Sequence, residues 1–230
     1  MNALVNTSVG GIYVRTEKHG DAAVIEEVID GDCYGLRAMK AEGFDPSVIV
    51  DVGAHIGTFS ALAHHLWPDA TIYAFEPTKR SFELLLLNVP KAQCYNAAVH
   101  YGDEPLVFAD DIADRATGGG FACTAEDYRI FSEGKTRADG FLYEIVRENI
   151  PTTTLNGIGA IDLLKIDCEG GEWNVLARMS NAVKRIVGEY HLPLSKGATW
   201  ETFKAMGEAA FPHLSFTPRR LADIELFEAK

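Results

Sequence analysis

Val48-Ile49-Val50-Asp51-Val52-Gly53-Ala54-His55-Ile56-Gly57 is an unbroken apolar run that opens into a glycine-bearing loop. An apolar strand with no polar alternation is what a parallel strand covered on both faces requires. Downstream, residues 57–67 read as a helix stopped by Pro68, 71–76 as a second strand, and 78–88 as a helix with Thr78 as N-cap. Residues 92–99 read as a third strand. The rhythm resumes with 161–167 as strand, 172–179 as helix, 183–191 as strand and 199–210 as helix. The last two strands, 214–217 and 224–227, are joined by a short connection and should pair as a hairpin. Upstream, 12–15 and 24–29 read as strands around His19-Gly20-Asp21, and 34–42 as a short helix closed by Gly43. The expected fold is α/β: a doubly wound, mostly parallel Rossmann-like sheet ending in an antiparallel hairpin.

Between 110 and 150 the pattern breaks. That stretch carries nine acidic and five basic residues, three glycines in a row (Gly118 to Gly120), and Tyr128, Phe131, Phe141 and Tyr143. It is long for a connection in a compact α/β domain and reads as a functional insertion. Its aromatic residues could cover an apolar substrate or simply pack the insertion down. The 230 residues therefore divide, within one domain, into an N-terminal extension (1–47), a cofactor-binding half (48–109), an insertion or lid (110–150) and a C-terminal half (151–230).

The chain holds 21 Lys+Arg against 33 Asp+Glu, a net charge of −12. Phosphate backbones and anionic membrane surfaces select for Lys and Arg, so neither nucleic acid nor membrane is an expected partner. A small-molecule substrate is. The first residues show no basic segment followed by an apolar run, and no stretch is long and apolar enough to span a bilayer. Cys33, Cys94, Cys123 and Cys168 form no metal-ligand spacing, with Cys94 and Cys168 inside apolar runs as small core residues. The expected compartment is the cytoplasm; oligomeric state is not legible.

In an open α/β sheet, ligands bind beyond the carboxyl ends of the strands, where the strand order reverses. The glycines of the first loop let the backbone approach a ligand and turn into a helix N-terminus. Their Gly-x-x-x-Gly spacing is not the dinucleotide Gly-x-Gly-x-x-Gly. Glu76 closes the second strand, where a carboxylate can accept hydrogen bonds from two ribose hydroxyls. The plainer alternative is that the glycines only cap a helix and Glu76 is solvated.

Three stretches together resemble the FkbM family of S-adenosylmethionine-dependent methyltransferases. They are Ile49 to Ser60, Ala74-Phe75-Glu76-Pro77, and Ile161 to Glu172 with its Lys165-Ile166-Asp167-Cys168-Glu169-Gly170 core; Glu189-Tyr190-His191 resembles the family's Glu-x-His. The resemblance runs in order from Tyr34 to His191. It implies a class I methyltransferase fold, S-adenosylmethionine as cofactor with S-adenosylhomocysteine as product, and methyl transfer to an oxygen of a small molecule such as a sugar or secondary metabolite. It also implies cofactor contacts from Asp51, Gly53, His55, Gly57, Thr58, Glu76, Asn96, Ala97 and Asp167. His55 stands where many relatives carry Asn.

Strand alternation puts Lys165, Asp167 and, where the chain stays extended, Glu169 on one face, and Val187, Glu189 and His191 on one face of the next strand. A buried Lys needs a partner. In neighbouring parallel strands Lys165 would pair with Glu189, and Asp167 with His191 nearer the carboxyl edge. Three roles stand open for this set. His191, oriented by Asp167, removes the acceptor's proton; or Asp167, Glu189 and His191 hold a divalent metal, the less favoured role; or all four are structural. Glu172 reads as a carboxylate placed for its helix dipole. The competing functions are an NAD(P)-dependent oxidoreductase, since Glu76 suits a dinucleotide ribose equally, and a non-catalytic nucleotide-binding protein.

Overall fold

The computed structural model describes residues 2–16, 19–111, 120–134, 143–191, 199–221 and 224–230. In chain order, β1 (Asn2–Thr7) and β2 (Gly10–Arg15) form an antiparallel hairpin, and α1 (His19–Val24) continues into a wider helical turn over Ile25–Asp30. Then come α2 (Leu36–Ala41), β3 (Val48–Val52), α3 (Thr58–Leu66), β4 (Thr71–Phe75), α4 (Lys79–Asn88), β5 (Gln93–Tyr95) and β6 (Ala98–Val99). The insertion contributes β7 (Leu106–Asp111), β8 (Phe121–Thr124), α5 (Ala125–Gly134) and β9 (Tyr143–Ile150). The chain closes with β10 (Thr152–Thr153), β11 (Ile161–Ile166), α6 (Glu172–Arg178), β12 (Val183–Glu189), α7 (Trp200–Ala210), β13 (Phe216–Leu221) and β14 (Ile224–Ala229).

The main sheet has seven strands in the order β5-β4-β3-β11-β12-β14-β13. The first five run parallel, and β14 is antiparallel to both β12 and β13. The doubly wound sheet with its closing hairpin is therefore the one expected. Both faces are covered, which is why the strands read as unbroken apolar runs. Val50, Leu164, Ile186 and Phe227 pack with the aromatic Phe203 of α7 on one face. Their chain neighbours Ile49, Leu163, Val187 and Leu226 pack with Phe59, Leu62 and Trp67 on the other. Because the chain enters at β3, runs outward to β5 and returns at β11, the order reverses between β3 and β11. The crevice follows from that topology.

Several local expectations are corrected. Residues 24–29 are helical, not a strand: Ile25, Val28 and Ile29 are buried while Glu26 and Asp30 face out, a helical rather than alternating pattern. The partner of β2 is β1, a strand the sequence did not announce. The third strand is split: β5 joins the main sheet, whereas β6 turns away after Asn96-Ala97 and pairs in parallel with β10. The insertion folds as its own antiparallel sheet in the order β8-β7-β9, packed by α5. Gly118, Gly119 and Phe141 lie outside the described residues. Thr199 caps α7 by accepting from the Thr202 N–H, whereas Thr78, at the start of α4, turns its hydroxyl to Glu76 instead. Cys33 is the buried cysteine; Cys94 and Cys168 are only partly covered.

Candidate active site

After β3 the chain must pass under β11 and turn into α3. Gly53 has φ of +79°, and a Cβ there would lie 1.7 Å from the Asp167 carbonyl oxygen. The glycine is thus demanded by the backbone of β11's end as well as by its left-handed conformation. Its N–H and that of Ala54 both donate to the Phe75 carbonyl, at 3.0 and 2.9 Å. Gly57, φ +93°, starts α3 against Leu85 and Val89. His55 takes the left-handed φ of +50° despite its side chain, and its N–H donates to Glu76 Oε2 at 2.9 Å. Strain of that kind persists only where the surroundings hold it.

Glu76, 6% exposed, also accepts from the Thr78 N–H at 2.8 Å and from the Thr78 hydroxyl. Burial pushes its carboxyl up from the usual value. Asn96 sits behind it and donates to the Glu76 and Pro77 carbonyls at 2.9 and 3.1 Å. A cavity of about 840 Å³ opens over these strand ends. Gly53, His55, Thr58, Glu76, Ala97 and Asp167 line it. Asp51, Gly57 and Asn96 do not. Asp51 is fully buried below the loop, where it accepts from the Ser60 hydroxyl at 2.7 Å and pairs with Lys165 at 3.2 Å. The structure makes it a support of the loop rather than a wall of the cavity.

At the other end of the cavity the expected pairings are replaced. Lys165 stands level with Val187, not Glu189, so the register is two residues from the one anticipated. Its ammonium donates to the Gly53 carbonyl at 2.6 Å and pairs with Asp51 at 3.2 Å and Asp167 at 3.4 Å. Those carboxylates outweigh desolvation and hold Lys165 protonated. The hydroxyl of Tyr34, buried in the N-terminal extension, donates to Asp167 at 2.9 Å. His191 is oriented not by Asp167 but by Glu172, whose Oε1 lies 3.1 Å from Nδ1. Its Nε2 lies 3.3 Å from Glu189 and 3.5 Å from Glu169. Glu172 and Glu169 raise His191 well above its ordinary value against desolvation, so its imidazole is held charged. Glu189 and Glu169 line the cavity; His191 is not among the lining residues.

Glu169 was not singled out for chemistry. Its backbone is left-handed, φ +56°, and desolvation pushes its carboxyl up to about 7. β11 ends at Ile166, so strand alternation does not reach Glu169, and the left-handed turn rather than the i+2 spacing sets where its side chain goes. Arg15 and Tyr34 carried none. Arg15 joins β2 to the loop: it pairs with buried Asp21 at 2.5 Å and meets His55 Nε2 at 2.8 Å. Burial, reinforced by Arg15, lowers His55 to about 4, so it is neutral and accepts that bond.

Atoms of Asp167, Glu172 and His191 come within 4.8 Å of one another, with Glu172 rather than Glu189 completing the possible metal set. Glu172 already accepts from the Cys168 and Gly170 N–H groups at 2.8 and 2.9 Å, in addition to His191. This donor set is satisfied by hydrogen bonds and a charged imidazole, a poor match to a cation that needs free lone pairs. Among the described residues no helix is long and apolar enough to cross a membrane.

Comparison with known proteins assigns the family. The methyltransferase FkbM domain matches residues 51–214, more than half of the chain. Methyltransferase sdnD of Sordaria araneosa is 27% identical over 223 residues, covering 85% of this chain and 80% of its own. The 31-O-demethyl-FK506 methyltransferase FkbM of Streptomyces tacrolimicus is 30% identical over 210 residues, 79% of each. Among solved structures, a TehB-like SAM-dependent methyltransferase from Corynebacterium glutamicum aligns over 92% of this chain and 96% of its own, at 14% identity and a TM-score of 0.45. The family rests on the domain match and the Streptomyces relative: this chain belongs to the FkbM methyltransferases.

Proposed function

We propose that the protein transfers a methyl group from S-adenosylmethionine to a hydroxyl oxygen of a small molecule. The observation that carries this reading is the cavity itself, with a buried carboxylate at the β4 end and a carboxylate-rich wall at the β11–β12 end, in an FkbM chain. The Streptomyces relative is named for methylation of a 31-O-demethyl compound, which supports oxygen as the acceptor atom.

The residues present fit the cofactor. Among the described residues Glu76 accepts from Thr78 and His55, and a carboxylate has about four lone-pair sites, which leaves capacity for ribose hydroxyls. Pro77 and Ala97 line the neighbouring wall, where an adenine would lie. The loop from Gly53 to Thr58 passes the methionine part. When bound, the cofactor supplies a methyl group made electrophilic by a sulfonium. The chain's residues then have to position the acceptor and take its proton. His191 is held charged and is no free base. Glu169 lines the cavity with its carboxyl near neutrality, so we assign it the proton, with His191 steadying the resulting charge distribution through Glu189 and Glu172. Lys165 carries no proton transfer; it fastens the Gly53 loop and Asp167 to each other. Positioning supplies much of the acceleration in such a displacement.

Incubating the protein with methyl-labelled S-adenosylmethionine and small-molecule extracts tests this directly. The expected result is label in a methoxyl group, undiminished by prolonged EDTA treatment. Label found only on nitrogen, or on macromolecules, would overturn the assignment of acceptor.

A further inference from the structure

The cavity is electrically lopsided. Lys79, Arg80 and Arg147 line the wall near the β4 end, and Arg15 there is balanced by Asp21. At the β11–β12 end Glu27, Asp167, Glu169 and Glu189 face the same space. Buried behind them are Asp51 and Glu172. Among the described residues the cations in this region are Lys165 and His191, and both are already bound to carboxylates at 3.1 to 3.5 Å. Glu27 and Glu169, each pushed up to about 7 chiefly by desolvation, keep part of their protons at neutral pH. Even with both neutral, the remaining carboxylates outnumber the two cations.

Neighbouring strands lie about 4.8 Å apart, so the ends of β4 and β11, which flank β3, are roughly 10 Å apart. A nucleoside held by Glu76 would then have Asp167 within reach of its 5′ substituent across the Gly53 loop. Resting on the methyl-transfer reading, we propose that Asp167, Glu169 and Glu189 form a charge filter that holds the cationic sulfonium and releases the neutral thioether formed from it. In the transfer the acceptor's oxygen–carbon bond forms and the carbon–sulfur bond breaks with both electrons staying on sulfur. The hydroxyl proton goes to Glu169. Sulfur loses its charge as Glu169 loses its own, so the attraction that held the cofactor lapses on both sides at once. A site built on shape alone would keep product and cofactor about equally well.

Calorimetry on the full chain with three ligands tests the filter: S-adenosylmethionine, sinefungin (an ammonium-bearing carbon in place of the sulfonium) and neutral S-adenosylhomocysteine. Both cations should bind at least about tenfold more tightly than the neutral ligand, the scale of one unit charge at partly screened range. Glu189→Gln and Glu169→Gln should each narrow that ratio by about threefold or more and change homocysteine-product affinity by less than about twofold. Glu26→Gln, which removes the same charge from an exposed position, should leave the ratio alone. Equal or tighter binding of the neutral ligand by the natural protein, an unmoved ratio in both glutamine variants, or an equal drop in Glu26→Gln overturns the proposal. Binding of none of the three overturns the cofactor reading itself, a separate result.

Discussion

Lys165 is the residue on which the two halves of the site depend. One ammonium, 3% exposed, serves a carboxylate below the loop, another at the cavity edge and the carbonyl of Gly53. Burying a charge is tolerated only with such partners, and removing one partner strands the others. Lys165→Met should therefore cost about 3–5 kcal/mol in urea unfolding, far more than its lost volume implies. His191 and the glutamates give a pH signature. The raised value of His191 means its contribution to stability is complete below about pH 6.5 and is lost as pH rises through that raised value. Glu27 and Glu169, moved from 4.5 to about 7, likewise bind protons more tightly folded than unfolded, so the folded state loses ground between those values as pH rises. Asp167, held low by Lys165 and His191 against its own burial, acts in the opposite sense but only in more acidic solution. Thermal unfolding should thus occur at a lower temperature at pH 8.5 than at pH 6, and His191→Gln should flatten the difference.

At the scale of elements, the site depends on how closely β3 and β11 can approach. Gly53 is where the loop from one crosses the end of the other, and a methyl group there meets a backbone carbonyl that cannot rotate away. Gly53→Ala should cost at least about 3 kcal/mol and lower soluble yield, with circular dichroism showing loss of tertiary packing. The run 48–57 made this element legible in advance, because burial on both faces and a left-handed turn leave marks in residue type. The register between β11 and β12 left none: either offset keeps apolar residues inside. That freedom is why Lys165 stands level with Val187 rather than Glu189, and why His191 meets Glu172 rather than Asp167. Residues 24–29 misled for a related reason, since Val and Ile suit a strand by propensity while their spacing suits a helix face.

For the whole molecule, the acidic balance has a location. Part of the −12 stands along the carboxyl edge of the sheet, where a cationic ligand would meet it. The doubly wound sheet with its closing hairpin, Glu76 at the β4 end and Asp167 after β11 are all readable from the βα rhythm, whereas the strand order is not. The N-terminal contribution was not. Arg15, Asp21 and Tyr34 reach the cavity through contacts 40 to 133 residues apart in sequence, for Arg15 with His55 and Tyr34 with Asp167, and no local pattern encodes such pairs. The insertion's fold as a separate antiparallel sheet is hidden in the same way, since among the described residues its strands pair with one another.

The central claim is that this cavity holds an S-adenosyl ligand through Glu76. Calorimetric titration of the purified protein with S-adenosylhomocysteine, S-adenosylmethionine and NAD, repeated on Glu76→Ala, tests it most directly. The account predicts that both adenosyl ligands bind, that NAD does not, and that the Glu76→Ala variant binds them at least about tenfold more weakly, as loss of charge-assisted hydrogen bonds requires. Binding of NAD alone, or adenosyl affinities unchanged by Glu76→Ala, would contradict it.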